Sequence, residues 1–349
     1  MKQKAFFSYL YKMILVTGGT GLLGAHLLLH LLKKEPQVRA IYRDYRKKEV
    51  IEKFFQDQNS KKLYSKIEWI YADINDIPML ENAFLNIDYV YHCAGLISFE
   101  PRLEEQLRKI NIEGTANIVN FCLAKNIKKL CYVSSIATLG DILTNETELD
   151  ENSEWNPEKP NSDYAISKYG AEMEVWRGFQ EGLKVVIVNP GVIFGTGFYE
   201  TGSNTFFTKI KKGILFYTEG STGYVSVNDV VKIMQILMES EINGERFVLI
   251  SENKTYKEIF FKIATSLNVK KPKYQAKVWM TNLYYRYDWF IANYFGVYRN
   301  FTKFLANASH KVEIISNKKI KTALQYNFQS IDDCIDEVAL NFNIRNHTK

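Results

Sequence analysis

Twelve residues constrain the fold of this chain more than any others: Met13-Ile-Leu-Val-Thr-Gly-Gly-Thr-Gly-Leu-Leu-Gly24. A short run of β-formers, Met13 to Val16, leads into glycines spaced Gly18-x-x-Gly21-x-x-Gly24, and an apolar helical pattern starts at Ala25. Strand, tight turn and helix in that order present a helix N-terminus to a pyrophosphate. Gly18 permits the sharp turn, Gly21 lets backbone approach phosphates without an intervening Cβ, and Gly24 allows close helix–strand packing. Glycines also gather in ordinary turns. The strand–helix context makes this one a dinucleotide site, with Thr20, Leu22 and Leu23 completing the loop.

The rest of the chain continues the pattern. Strands are expected at Val38–Tyr42, Ile67–Tyr71, Ile87–His92, Leu130–Ser134 and Leu183–Asn189. Between them fall helices at about 21–34, 103–125 and 164–180, the second carrying Leu107, Ile110, Gly114, Ile118 and Phe121 at helical spacing. Strands separated by helices pair in parallel through right-handed crossovers. The expected fold class is α/β: a Rossmann-type doubly wound parallel sheet over 13–190, with a smaller C-terminal substrate lobe over 191–349 partly interleaved with it. That lobe is expected to hold a helix at 229–240, a strand at 246–250 and a closing amphipathic helix at 330–342. Residues 1–12 lack the apolar core of about seven residues a signal peptide needs. Met13 can equally serve as initiator, so 1–12 reads as an extension or a start-site artefact.

Composition narrows the function classes. The chain is 46% apolar and 24% charged, ordinary for a folded protein. No apolar run approaches the ~18 residues that span a bilayer. The net charge of +6 is modest, and its densest clusters, 43–48, 61–66 and 270–273, accompany no nucleic-acid motif. Cys93, Cys122, Cys131 and Cys334 show no C-x-x-C pair or zinc spacing. His26 and His30 share a helix face, but without a third ligand nearby their surroundings favour a structural role. No metal site is expected, and the cytoplasm is the expected compartment.

Chemistry is read at Tyr164-Ala-Ile-Ser-Lys168. Four residues apart on a helix, phenol and ammonium share a face. A nearby cation favours the phenolate and lowers its pKa from about 10, which suits a proton donor or acceptor at neutral pH. An amphipathic surface helix carries the same spacing by chance. Ser134-Ser135, closing a strand, places hydroxyls toward the crevice, though serine also ends strands for turn chemistry.

Together these motifs resemble the extended short-chain dehydrogenase/reductase family, also called the NAD-dependent epimerase/dehydratase family, over most of the chain. Thr17 to Gly24 matches its nucleotide loop; Asp73-Ile74 resembles its adenine contact, and His92-Cys93-Ala94-Gly95 its small-residue turn beneath the cofactor. Asn111-Ile-Glu-Gly-Thr115 resembles the helix motif whose Asn supports the active site. Asn189-Pro190 to Gly195 resembles the loop flanking the nicotinamide, and Val225 to Asp229 the return segment of the second lobe. The resemblance implies that Ser135 holds the substrate oxygen, Tyr164 is general acid/base, and Lys168 binds the nicotinamide ribose while tuning Tyr164. The implied catalytic set is therefore Ser135, Tyr164, Lys168 and Asn111.

Branch and cofactor follow from departures. Family epimerases carry an arginine where this chain has Thr222, and its 4,6-dehydratases an Asp-Glu pair where Ile136 and Ala137 follow Ser135. What remains resembles the dihydroflavonol reductase and 3β-hydroxysteroid dehydrogenase branch. It implies hydride transfer between a nicotinamide cofactor and a ketone or alcohol of an apolar or aromatic small molecule. The alternatives are an NDP-sugar epimerase/dehydratase and a non-catalytic dinucleotide-binding sensor or assembly protein. At the end of strand two, where NAD-preferring folds place a carboxylate, stand Tyr42 and Arg43, so NADP(H) is favoured over NAD(H). Asp44 complicates that reading. Family members often dimerise through helices matching 103–125 and 164–180, implying a homodimer. Eleven aromatics crowd 279–304. Leu283, Tyr287, Phe290, Ile291 and Tyr294 share a helix face, read either as core cover or as an apolar substrate pocket.

Overall fold

The computed structural model describes residues 12–141, 147–299 and 301–347; the extension at 1–11 lies outside them. Among the described residues the strands are β1 (Ile14–Thr17), β2 (Val38–Tyr42), β3 (Ile67–Tyr71), β4 (Tyr89–His92), β5 (Lys129–Val133), β6 (Val185–Pro190), β7 (Val192–Phe194), β8 (Phe216–Tyr217), β9 (Ser221–Ser226), β10 (Glu245–Leu249), β11 (Glu252–Thr255) and β12 (Tyr274–Gln275). The helices that matter below are α1 (Leu22–Leu31), α2 (Tyr45–Asp57), α3 (Ile77–Ala83), α4 (Gly114–Ala124), α5 (Asp163–Gln180), α6 (Thr205–Lys212), α7 (Val227–Glu239), α8 (Tyr256–Ser266), α9 (Val278–Phe295) and α10 (Ile331–His347).

Seven of these strands form one parallel sheet in the order β10-β6-β5-β4-β1-β2-β3. Side chains alternate across it. Ile14, Val16, Tyr91, Cys131, Val186 and Val188 pack on one face with α1, α2 and α7. Leu15, Val90, Leu130, Tyr132 and Ile187 pack on the other with α3, α4 and α5. Burial on both faces explains why these strands read as continuous apolar runs instead of polar–apolar alternation. β1 lies between β4 and β2, in register at Leu15 with Val90 and at Val16 with Ala40. The strand order reverses there, and ligands of such sheets bind outside the strand carboxyl ends at that point.

The C-terminal half re-enters this sheet. β10 pairs with β6, and α7 contributes Val230, Val231, Ile233, Met234 and Leu237 to the core beneath β1. The remaining lobe is built on the sheet β11-β9-β7, whose core of Phe194, Phe207, Tyr224, Ile263 and Ile335 is closed by α6, α8 and α10. β8 and β12 form a small ribbon beside it.

Two expectations change. The segment expected as one helix at 103–125 is a composite: a 3₁₀ turn at Pro101–Leu103, α-helix at Glu104–Leu107, a π-helical stretch at Arg108–Glu113, then α4. The π stretch carries Asn111. The apolar stripe of α9 does not cover a core: only Thr281 and Ala292 of that helix are buried, while Leu283, Tyr287, Phe290 and Tyr294 are 57–74% exposed.

Candidate active site

The loop after β1 has the geometry its glycines anticipate. Gly18 has φ of +68°, and a Cβ there would lie 2.6 Å from the Ala94 nitrogen. A Cβ on Gly24 would lie 2.2 Å from the Gly18 carbonyl oxygen. Gly21 is exposed, a Cβ there would meet only the Gly18 carbonyl oxygen at 3.5 Å, and it precedes α1 without a capping side chain. The first N–H groups of α1 therefore face the crevice with no intrahelical acceptor, a cradle that suits an anionic pyrophosphate. Thr20, Leu22 and Leu23 line it half-buried.

A buried polar chain runs along the floor of the crevice. Ala94 N donates to Thr17 Oγ1 at 3.1 Å, and Thr17 Oγ1 lies 2.6 Å from His92 Nδ1. His92 Nε2 lies 3.0 Å from Thr115 Oγ1. Burial holds the His92 pKa down at about 3, helped by the charge of Lys168. The ring is thus neutral, a donor at one nitrogen and an acceptor at the other, and bridges Thr17 and Thr115. The Tyr132 ring lies 5.5 Å from that of His92, and its hydroxyl accepts from Lys168 Nζ at 2.6 Å.

Lys168 and Tyr164 stand one turn apart on α5, whose N-terminus is capped by Ser162. Lys168 Nζ also donates to the Val133 carbonyl at 2.8 Å. Burial lowers its pKa to about 7, against the opposing pull of Glu172 and Cys93. Tyr164 departs from expectation. Burial raises its pKa, and a hydrogen bond with Ser135 opposes the rise. Desolvation of the phenol outweighs the cation because the ammonium's bonds go to Tyr132 and Val133.

Ser135 stands two residues beyond β5, and its Oγ accepts from Ala137 N at 3.1 Å. Its carbonyl accepts from Asn189 Nδ2 at 3.2 Å, with Thr138 Oγ1 2.9 Å away. Behind it lies Glu172, fully buried, one further turn along α5. Its carboxylate accepts from Ser134 Oγ (2.5 Å), Thr138 Oγ1 (2.9 Å), Asn189 Nδ2 (3.0 Å) and Arg246 Nη1 (3.0 Å). Asn111 pins the turn after β4 from the other side. It bonds both backbone groups of Leu96, at 2.7 and 3.0 Å, and donates to Ser167 Oγ at 2.8 Å. Gly95 sits over it, a Cβ there being 3.3 Å from Asn111 Oδ1.

Beyond the carboxyl ends of β2 and β3, Asp73 Oδ2 accepts from Arg43 Nη1 at 3.1 Å. Asp44 is occupied locally, capping α2 and pairing with Arg46. Ile74 is buried against Gly114, and Pro190 is buried at the end of β6. Phe99 meets Tyr164 edge-on at 5.8 Å and stacks on Phe304 at 5.6 Å. The apolar wall beside the phenol thus comes from Phe99 and Phe304, whereas Tyr284, Tyr287 and Tyr294 point to solvent. Thr222 is buried in β9, and Ile136 packs on Leu139, Val248 and Ile250.

Sequence reasoning missed Tyr132, Thr115, Ser167, Glu172 and Phe99. Glu172 had a signal, falling at the next helical repeat after Tyr164 and Lys168. Tyr132 had another, sharing a strand face with Ser134. A hollow of about 550 Å³ lined by Lys12, Tyr89, Lys129 and Asn243 lies at the opposite strand ends. It holds none of this chemistry.

Fold and site together define an NAD(P)-dependent oxidoreductase of the extended short-chain dehydrogenase/reductase type. The chain belongs to the NAD dependent epimerase/dehydratase family, whose model matches residues 14–249. It is 28% identical to anthocyanidin reductase of Arabidopsis thaliana over 287 residues, covering 75% of this chain and 81% of that one. It is 26% identical to sterol demethylase protein B of Methylococcus capsulatus over 247 residues, covering 70% and 71%. Among solved structures, that of gox2253 superposes with a TM-score of 0.79 at 24% identity, covering 97% of this chain and all of the other. The UDP-glucose 4-epimerase of Thermotoga maritima superposes with a TM-score of 0.74 at 20% identity over 97% of this chain and all of its own.

Proposed function

We propose that the protein reduces a ketone, or oxidises the corresponding alcohol, of an apolar or aromatic small molecule. The observation that carries this reading is the meeting of Ser135, Tyr164 and the Phe99–Phe304 wall beside the glycine-turn cradle. When bound, the nicotinamide supplies or takes the hydride. The Ser135 hydroxyl holds the substrate oxygen, and Tyr164 gives that oxygen its proton as the carbonyl becomes an alcohol. A raised phenol pKa suits the reducing direction, since it keeps the proton available. Lys168 and Asn111 fix the ribose side of the crevice, and the backbone of Gly18 to Gly24 receives the pyrophosphate with Ala94, Gly95 and Pro190 around the nicotinamide.

The cofactor is NADP(H) in this reading. Arg43 follows β2 half-exposed and paired through one amino group with Asp73, and Asp44 is consumed as a helix cap, so a 2′-phosphate meets a guanidinium and no unpaired carboxylate. Two relatives are by name an anthocyanidin reductase and a sterol demethylase protein, which favours an aromatic or sterol-like substrate here. Likeness to sugar-nucleotide enzymes supports the second reading, an NDP-sugar epimerase or dehydratase, but Thr222, Ile136 and Ala137 supply neither a diphosphate cation nor an acid/base pair. A homodimer through 103–125 and 164–180 and a cytoplasmic setting complete the proposal.

The test follows NADPH and NADH absorbance across a panel of aromatic and alicyclic ketones and UDP-, GDP- and dTDP-sugars. Turnover of an apolar ketone is expected. Turnover confined to a sugar nucleotide would replace this reading with the second. Tight dinucleotide binding with no turnover of either class, in a protein whose Tyr164→Phe variant behaves identically, would make it a sensor.

A further inference from the structure

The helix α9 is amphipathic the wrong way round. Its buried side holds Thr281 and Ala292, and the opposite side carries Trp279, Leu283, Tyr287, Phe290 and Tyr294 at exposures of 64, 62, 60, 57 and 74%. At 100° per residue these five fall within one quadrant, forming an unbroken apolar stripe. It continues at the start of the helix into the β8–β12 ribbon, where Leu215, Phe216 and Tyr274 are 61, 46 and 49% exposed. Monomeric proteins seldom leave so continuous an apolar surface in water without a partner for it.

Charge identifies the partner. Between Asn268 and Val312 the chain holds eight lysines and arginines and a single acid, Asp288, a net of +7. The whole chain carries +6, so everything outside this segment sums to −1. The one acid is matched by Arg299 at 3.6 Å. Four lysines, at 270, 271, 273 and 277, precede the stripe, and Lys303 and Lys311 follow it; all six are exposed, Lys311 alone among them being paired with an acid, Glu313. An apolar face of Trp, Tyr, Phe and Leu with basic residues at both ends is the composition that lies in the headgroup layer of an anionic bilayer. A second copy fits less well, because a two-fold contact along the stripe brings two +7 segments together.

We propose that α9 and the β8–β12 ribbon form a docking surface for anionic membranes, the helix lying in the interface and not across it. No described helix is long and apolar enough to cross. The contact has a consequence for access to the crevice. The chain after α9 is tied to the segment carrying Phe99: Glu100 accepts from Arg299 N at 2.5 Å, and Arg102 donates to the Gly296 carbonyl at 3.4 Å and sits over the Tyr298 ring at 5.1 Å. Docking therefore brings the wall beside Tyr164 near the lipid surface. The lipid contact itself stands independently of which substrate is reduced.

The experiment sediments the full chain with phosphatidylcholine vesicles, pure or containing about one-third phosphatidylglycerol. Binding about tenfold or more tighter to the anionic vesicles is expected, falling by a similar factor between ~0.05 and ~0.5 M salt. Tryptophan emission should shift to the blue on binding, and much less so in Trp279→Phe. Tyr287→Ser with Phe290→Ser should weaken binding to both vesicle types by about tenfold or more. Lys271→Ser with Lys273→Ser and Lys277→Ser should remove the preference for anionic lipid. Dinucleotide binding, measured in each variant, is expected to be unchanged and reports the fold. No sedimentation with anionic vesicles at low salt overturns the proposal. So does vesicle binding indifferent to the Tyr287/Phe290 variant, or a lipid-free dimer that this variant dissociates.

Discussion

Lys168 carries the sharpest residue-scale consequence. Its pKa of about 7 arises from burial, so in the cofactor-free protein it loses its proton as pH rises through neutrality. An ammonium donates to ribose hydroxyls better than a neutral amine, so cofactor affinity should fall as pH rises through about 7. Dissociation constants from nicotinamide fluorescence across about pH 6–9 check this. The dependence should vanish in Lys168→Met, and a flat profile in the native protein would contradict the assignment. For stability the sign is the same as for any depressed amine. The unfolded lysine titrates near 10.5, so its burial penalty is complete below about 7 and disappears only above 10.5. Tyr164→Phe should keep fold and cofactor affinity and lose about 10²–10⁴-fold in turnover. Near-native turnover would remove the tyrosine from the reaction. Arg43→Ala should weaken NADPH and leave NADH little changed, as paired titrations would read. An equal loss for both would limit Arg43 to fixing Asp73.

At the scale of elements, α5 is the organising part. Three of its residues one turn apart do different things on one face: Tyr164 meets Ser135, Lys168 reaches the floor, and Glu172 ties β5, β6 and β10 together. Glu172→Ala leaves Arg246, 17% exposed at its side chain, without its carboxylate. Breaking a buried pair in this way costs about 3–5 kcal/mol. Urea unfolding should show that loss, and turnover should fall further than stability explains because Thr138 and Asn189, which flank the Ser135 carbonyl, lose their shared acceptor. Retained stability would mean that water replaces the carboxylate. The π-helical stretch at Arg108–Glu113 does a comparable job for the turn after β4. It offsets the helix register so that Asn111 reaches Leu96 and Ser167 together. Such bulges commonly mark functional positions, yet no local residue pattern announces this one.

For the whole molecule, the stretch from Val227 to Leu249 decides what can fold. It lies beyond the motif-bearing first half, yet α7 and β10 complete the main sheet and its core. A fragment ending at Pro190 would expose Tyr91, Cys131 and Val188 on the face α7 covers. Burying one large apolar side chain contributes about 1.5–3 kcal/mol, and α7 supplies six. The fragment 13–190 should therefore lack cooperative thermal unfolding by circular dichroism, whereas the full chain shows one. A cooperatively folded fragment would make residue 190 a true folding boundary. Gly191, where the chain leaves the sheet for the lobe, tests the same junction. A Cβ there lies 2.3 Å from the Gly223 carbonyl oxygen, so Gly191→Ala should destabilise by about 1–3 kcal/mol in denaturant melts.

What the sequence by itself determined is the local and periodic part. The glycine turn, the order of strands and helices, and the Tyr164–Lys168 pair depend on spacings of a few residues, which a sequence displays directly. Serine at the end of β5 and arginine at the end of β2 were legible for the same reason. Tertiary structure alone decided which atoms those side chains meet. Lys168 bonds to Tyr132 from another element, so burial governs Tyr164 in place of the cation the spacing suggested. The apolar stripe of α9 has the periodicity of a core helix, but periodicity says only that the residues share a face. Which way that face points depends on what packs behind the helix, and here small residues, Thr281 and Ala292, face the protein and turn the aromatics outward.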